Sequence, residues 1–267
     1  MFITFLSDFG LRDDFVGTCH GVMKRIAPEV DIIDITHGIE PQAVLQGALV
    51  LGNTIPYMPV GVHLAVIDPG VGTDRRGLVV CDAEGRLYVG PDNGLLVPAA
   101  EKGGGITGAW ELTNRAYMLQ PVSHTFHGRD VFSPAAAHLA RGVEPDEFGD
   151  AIASDALVRL ELPVPEVGEA SIRATVLYID RFGNVQLNLS RSDVERADIG
   201  PGRRIELELG FERYYARAAR TFAEARAGDI ILYEDAYENI ALAITDGNAA
   251  EMFTVKPGEQ ILLRVLS

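Results

Sequence analysis

Phe2-Ile3-Thr4-Phe5-Leu6-Ser7-Asp8-Phe9-Gly10 is a short apolar, β-rich run that stops on a serine, a carboxylate and a glycine. Working outward, runs of the same kind return at Val30–Ile35 and Val62–Ile67, and the stretches between them, Asp14–Ile26 and Ala43–Thr54, carry apolar residues at helical spacing. Pro28 closes the first of these helices, and Pro41 fits the first position of the second. The order βαβαβ predicts a parallel, Rossmann-like sheet with right-handed crossovers and a ligand crevice at the carboxyl ends of the strands. Two β runs joined by Ala83-Glu84-Gly85, Gly77–Asp82 and Arg86–Gly90, then predict a hairpin, and Phe132–Arg141 predicts a last helix.

The grammar changes after Glu161-Leu162-Pro163-Val164-Pro165-Glu166, which has two prolines, two acids and no periodicity. We therefore expect an α/β domain over 1–160, a linker over 161–170 and a second domain over 171–267. Short β runs at Ile172–Ile179, Asn184–Asn188, Arg204–Leu209, Ile230–Tyr233, Ile240–Ile244 and Gln260–Leu266, separated by Gly and Asp turns, make that domain a small all-β barrel or sandwich. No internal repeat is evident.

Composition narrows the partners. The chain of 267 residues has 23 Lys plus Arg against 38 Asp plus Glu, a net charge of −15, which disfavours nucleic acid and anionic membranes. Two cysteines, Cys19 and Cys81, are too few for a disulfide framework or a cysteine-rich zinc site. The apolar stretch from Ala43 to Met58 is broken by Gln46, Gly47, Asn53 and Pro56, and the first residues have no basic leader, so a cytoplasmic protein without a membrane span is expected.

Strand ends carry the chemistry. Asp8 suits either the two hydroxyls of a ribose or the cap of a turn. After the third strand comes Asp68-Pro69-Gly70-Val71-Gly72-Thr73-Asp74-Arg75-Arg76. Its glycines are followed by a β run and not by a helix, so this is no dinucleotide fingerprint. Instead they let the backbone turn sharply and carry Asp68 and Arg75 to one rim, where a bidentate pair could form either as part of a site or simply as an ion pair that stabilises the loop. Ser123-His124-Thr125-Phe126-His127-Gly128-Arg129-Asp130 places an imidazole beside an Arg and an Asp, as suits a group that orients or deprotonates water, and matches no standard zinc spacing. Asp130 is expected to cap the following helix, and His20, His37, His63 and His138 to be structural. In the second domain Asp180-Arg181-Phe182-Gly183-Asn184 sets an acid, an aromatic and an amide around one turn, and Tyr233-Glu234-Asp235-Ala236-Tyr237-Glu238-Asn239 sets more polar groups at strand ends.

Taken together, Ser7-Asp8-Phe9-Gly10, the Asp68 to Gly72 turn with Arg75, Phe126 to Asp130, and Asp180 to Asn184 resemble the S-adenosylmethionine hydrolase (hydroxide adenosyltransferase) family, relatives of the fluorinase and chlorinase. The resemblance runs from Phe2 to the C-terminus. It implies attack of water on C5′ of the ribose of S-adenosylmethionine, giving adenosine and L-methionine, with no cofactor and no metal. It implies Asp68, Arg75 and His127 as the water-activating set, Asp8 on the ribose, Asp180 on the methionine ammonium and Phe182 and Asn184 on the adenine. Tyr233 and Tyr237 join the substrate-binding residues. Where halogenating relatives have a Ser-Arg pair near the methionine carboxylate, this chain has Ala236 and Tyr237, and it lacks room for the fluorinase's extra loop. Hydrolysis is thus favoured over its alternatives, a halide-dependent 5′-halo-5′-deoxyadenosine synthase or a noncatalytic S-adenosylmethionine-binding or adenosine-binding module. The resemblance further implies a homotrimer whose active sites lie between subunits.

Overall fold

The computed structural model describes residues 1–266, and the chain divides into two compact units, Met1–Leu160 and the remainder from Glu161. In the first unit β1 (Phe2–Ser7), α1 (Phe15–Ile26), β2 (Asp31–Thr36), α2 (Val44–Thr54) and β3 (Val62–Val66) form the βαβαβ core. They are followed by β4 (Gly77–Asp82), β5 (Leu87–Pro91), α3 (Val97–Lys102), β6 (Ile106–Glu111) and α4 (Ser133–Ala140). The six strands lie in the order β2-β1-β3-β5-β4-β6, parallel except where β4 runs against β5 and β6.

Helices cover both faces. Ile3, Phe5, Val62, Leu64 and Val66 pack with Cys19 and Met23 of α1 and with Ala135, Ala136 and Leu139 of α4. Leu6, Ala65 and Ile67 pack on the other face with Ala48 and Leu51 of α2 and Ala99 and Ala100 of α3. Burial on both faces is why β3 is fully buried along its length, whereas β2, at the sheet edge, has only exposed and half-buried positions. Because β2 and β3 flank β1 on opposite sides, the chain reverses direction across the sheet at β1, and the crevice at that switch point opens beside Asp8 and Asp68.

Three expectations change here. Pro41 does not start α2. Pro41 and Gln42 form a turn, Gln42 holds a left-handed backbone (φ 66°), and the helix begins at Val44. The turn directs the Gln42 N–H to the Asp8 carboxylate. Strand β6 was not expected from sequence, because Gly108 interrupts its β pattern; the glycine is needed where a Cβ would meet the Trp110 ring at 2.4 Å. The last helix is preceded by a π turn over Gly128–Phe132.

The second unit comprises β7 (Glu166–Val167), β8 (Ser171–Ile179), β9 (Val185–Leu187), α5 (Arg191–Arg196), β10 (Arg204–Leu209), β11 (Glu212–Ala218), β12 (Ile230–Glu234), β13 (Ile240–Ile244), α6 (Ala249–Phe253) and β14 (Gln260–Val265). Pairing of β14 with both β10 and β8 closes seven strands into a barrel, with β7 paired on the outside of β8. The stretch expected to be linker therefore contains a short strand, and the unit carries two short helices beside its strands. Ser190 and Asp193 cap α5 reciprocally, and Asn248 caps α6. Inward-facing Ile172, Ala174, Val185, Leu187, Ile205, Leu207, Leu242, Ile261 and Leu263 fill the barrel. Strand β11, Glu-Arg-Tyr-Tyr-Ala-Arg-Ala, is polar enough to escape a hydrophobic pattern search, yet Ala216 and Ala218 point inward.

Candidate active site

The turn after β3 brings Arg75 back over Asp68. Val71 N–H donates to the Asp68 carbonyl (3.2 Å), Thr73 N–H and Oγ1 both donate to the Gly70 carbonyl (3.1 and 2.7 Å), and Gly72 adopts φ +79°. Arg75 Nε then donates to both Asp68 oxygens (2.9 and 3.0 Å), and Nη2 donates to Asp68 Oδ2 as well. The same Nη2 lies 2.8 Å from His127 Nδ1. The Arg75 guanidinium also sits 5.0 Å from the centre of the Phe132 ring, a cation–π contact that holds its plane. With side chains only 7% and 12% exposed, Asp68 and Arg75 form a desolvated ion pair, stronger and better oriented than a surface one.

His127 reaches this pair because a second loop is braced against the first. A Cβ at residue 72 would stand 2.5 Å from the His124 carbonyl oxygen, so only glycine lets the two loops close. Asp130 was expected to cap a helix; instead its nearly buried carboxylate accepts from Ser123 N–H (2.9 Å) and from Arg129 Nε (2.6 Å) and Nη2 (2.9 Å), tying both ends of the loop together. Burial, and then the neighbouring charge of Arg75, hold the His127 imidazole below the ordinary histidine range. A neutral ring agrees with Nδ1 accepting an N–H from Arg75. The hydrogen bonds of this set use Arg75 Nε and Nη2, so its Nη1 keeps two donors for another group.

Asp8 ends β1 on the same rim. Its Oδ2 accepts the Gln42 N–H at 2.8 Å, and burial, outweighing that hydrogen bond, raises its pKa, with the charge of Asp68 adding to the rise. The first unit thus brings together Asp68, Arg75 and His127 in direct contact, with Asp8 within their field. Sequence reasoning missed the aromatic wall beside this rim, Phe9, Phe15 and Phe126, whose ring centres lie 5.2–5.9 Å apart. Two loop phenylalanines, Phe9 and Phe126, and one at the first position of α1, Phe15, give no periodic signal.

In the second unit Asp180 organises its own turn. Oδ1 accepts from the N–H groups of Phe182 (2.8 Å) and Asn184 (2.9 Å), and Oδ2 accepts from Asn184 Nδ2 (2.7 Å). Phe182 stands 76% exposed, and Gly183 (φ +82°) closes the turn. A second turn of the same kind follows β12. Asp235 accepts in the same way from the N–H groups of Tyr237 (2.8 Å) and Asn239 (2.9 Å), and Glu238 takes the left-handed position (φ 66°) that Gly183 takes in the first turn. Asp-x-aromatic-x-Asn is therefore one five-residue turn used twice, after β8 and after β12. Equal spacing of the three residues was the signal. Tyr233 lies within the field of both aspartates, and burial, with those charges, pushes its hydroxyl up to about 12.

Residues 3–149 match the model of the SAM hydroxide adenosyltransferase N-terminal domain, and residues 174–262 match that of the C-terminal domain. The chain is 43% identical to a protein of Salinispora tropica named (R)-S-adenosyl-L-methionine hydrolase, over 97% of this chain and 96% of that one. It is 37% identical to a protein of the same name from Thermus thermophilus (98% of each chain), and 31% identical to a fluorinase of Actinoplanes sp. (96% and 95%). A crystal structure of an uncharacterized conserved protein from Thermotoga maritima superposes with a TM-score of 0.90 at 33% identity, covering 98% of this chain and 99% of that one.

Proposed function

The chain belongs to the SAM hydroxide adenosyltransferase family, and from that premise we propose that it hydrolyses S-adenosyl-L-methionine to adenosine and L-methionine. The observation that carries the proposal is the contact of Arg75 with both Asp68 and His127 on the crevice rim.

The sulfonium is already a good leaving group, so the catalyst needs chiefly an oriented water in line with the C5′–S bond. Asp68 and His127 fix the guanidinium from two sides, and the free Nη1 donors of Arg75 stabilise hydroxide character in that water. The water oxygen bonds to C5′, the C5′–S pair returns to sulfur as a neutral thioether, and the water's proton passes to solvent. The reaction balances without a cofactor. Asp8 would take the ribose hydroxyls, Asp180 the ammonium, Phe182 and Asn184 the adenine, with Tyr233 and Tyr237 beside them. These groups belong to two units, and the assembly we propose for them is a cytoplasmic homotrimer with each pocket shared between subunits, to be tested by light scattering on the purified protein.

In the name carried by the relatives, (R) precedes L-methionine, whose α carbon is already specified, so it designates the sulfonium. We extend that preference to this chain. The test is incubation in heavy-oxygen water with S-adenosylmethionine of each sulfonium configuration. We expect adenosine labelled in its 5′-hydroxyl, formed faster from the R epimer. Absence of adenosine at high enzyme concentration, or a 5′-chloro product outcompeting it in chloride, overturns the hydrolase proposal; equal rates overturn the epimer preference alone.

A further inference from the structure

A second cluster of chemical groups lies in the first unit and takes no part in the proposed reaction. His20 projects from α1, and Asp34 and His37 from the end of β2 and just beyond it. His20 Nε2 is 2.9 Å from Asp34 Oδ1, and His37 Nε2 is 3.1 Å from the same oxygen. One nitrogen of each ring and one carboxylate oxygen lie within 4.8 Å of one another. In a tetrahedral site with ligand bonds of about 2.0–2.1 Å, donors stand about 3.3 Å apart, so this trio needs only small side-chain adjustments to close on one ion.

Two further observations point to a ligand. The His37 side chain is 2% exposed, and its Nε2, though near Asp34, has no hydrogen-bond partner among the described residues. A buried imidazole nitrogen left without a hydrogen bond is costly unless something binds it. Its other nitrogen, Nδ1, lies 2.7 Å from Ser7 Oγ, which also accepts the Phe9 N–H. Donation from Nδ1 to that oxygen leaves the Nε2 lone pair facing Asp34 and His20, the arrangement in which an outer hydrogen bond orients a metal-binding histidine. Both rings pack on Phe5, at 5.9 and 4.7 Å between centres, which limits their rotation.

We propose that His20, Asp34 and His37 bind one divalent first-row transition cation, zinc or cobalt in type, through two imidazole nitrogens and a carboxylate oxygen. Two nitrogens among three ligands argue against calcium or magnesium, which take oxygen. Asp34 and His20 are 40% and 31% exposed, so water can complete the coordination. The ion would be structural. It would pin the end of β2 to α1 and, through Ser7, to the strand end that bears Asp8.

The test uses untagged, metal-stripped protein titrated with cobalt(II), followed by its visible absorption and by equilibrium dialysis, with zinc as competitor. The expected result is about one equivalent per chain, displaced by zinc, with affinity weakened tenfold or more in both His20→Ala and Asp34→Asn and unchanged in the control His124→Ala. Saturating zinc should also raise the melting temperature of the wild type and not of the two site variants. Both substitutions fall at partly exposed positions, and circular dichroism would verify their folding. No cobalt absorption in the wild type, or undiminished affinity in either site variant, overturns the proposal.

Discussion

The Asp68 site in the first unit and the Asp180 turn in the second solve the same problem, holding a carboxylate in place, by opposite means. Asp68 is held by side chains from elsewhere, Arg75 seven residues on and His127 from a separate loop. Asp180 is held by amides and an amide side chain within four residues of itself, and Asp235 repeats the device. The first arrangement exists only when the fold is complete; the second is a property of five residues. A charge satisfied by another charge can be tuned for chemistry by its partner, whereas one satisfied by backbone amides mainly offers its remaining lone pairs to a ligand.

Removing Arg75 should separate the two most sharply. Arg75→Ala is expected to lower kcat by about 10³-fold with folding intact, since it deletes the donors that act on the water. Arg75→Lys should restore little, because an ammonium cannot bridge a carboxylate bidentately and an imidazole together. Turnover within tenfold of wild type in either variant would place the chemistry elsewhere.

Acid should distinguish the units next. All six histidines lie in the first unit. His63, buried between Phe2 and Tyr88 and bonded to Thr4 Oγ1, has its pKa lowered by burial to about 4. The unfolded chain binds a proton there near pH 6.5 and the folded chain does not until about pH 4, so folding stability is full above 6.5 and falls as pH drops through that window. The loss amounts to about 3 kcal/mol and should be confined to the first unit. Hydrogen exchange resolved by peptide would show this, and equal acid loosening of the barrel would refute it.

Gly72→Ala probes the dependence of the Asp68 site on distant backbone. Pushing the His124 carbonyl away should misplace His127 and cost about 10²-fold in kcat with little change in KM. Smallest is the effect at the local turns. Asp180→Asn keeps an oxygen for the two amides and removes the charge, and is expected to raise KM for S-adenosylmethionine about tenfold. Asp235→Asn should change it less than threefold. Equal effects would mean that the two turns do not differ in their use.

Much of this was legible in the chain itself. The β1, β2 and β3 runs, their intervening helices and the strand-end residues Asp8, Asp68 and Arg75 follow from periodicity and from the rule that parallel sheets bind at their carboxyl ends. What sequence hid was of two kinds. Strands β6 and β11 lack an apolar pattern, because one accommodates Gly108 beneath Trp110 and the other presents arginines and tyrosines outward. Contacts such as Gly72 against His124, or His37 against Ser7, join residues tens of positions apart, and no local spacing announces them. Asp130 was misassigned for the same reason: a residue ahead of an apolar run suits a cap, and only the packed loop reveals that its partners are Ser123 and Arg129.

The π turn at Gly128–Phe132 carries one residue more than an α turn would hold. That extra residue sets the angular phase between His127 and α4. Loss of Gly128, which brings no side chain to the core, would let the helix run on as a regular α-helix, each residue of which turns by about 100°, and would swing His127 around the helix axis away from Arg75 while leaving α4 packed as before. The first unit could thus keep its core and lose its imidazole through a single deletion, so the length of this segment, as much as the identity of its residues, sets whether the site is complete.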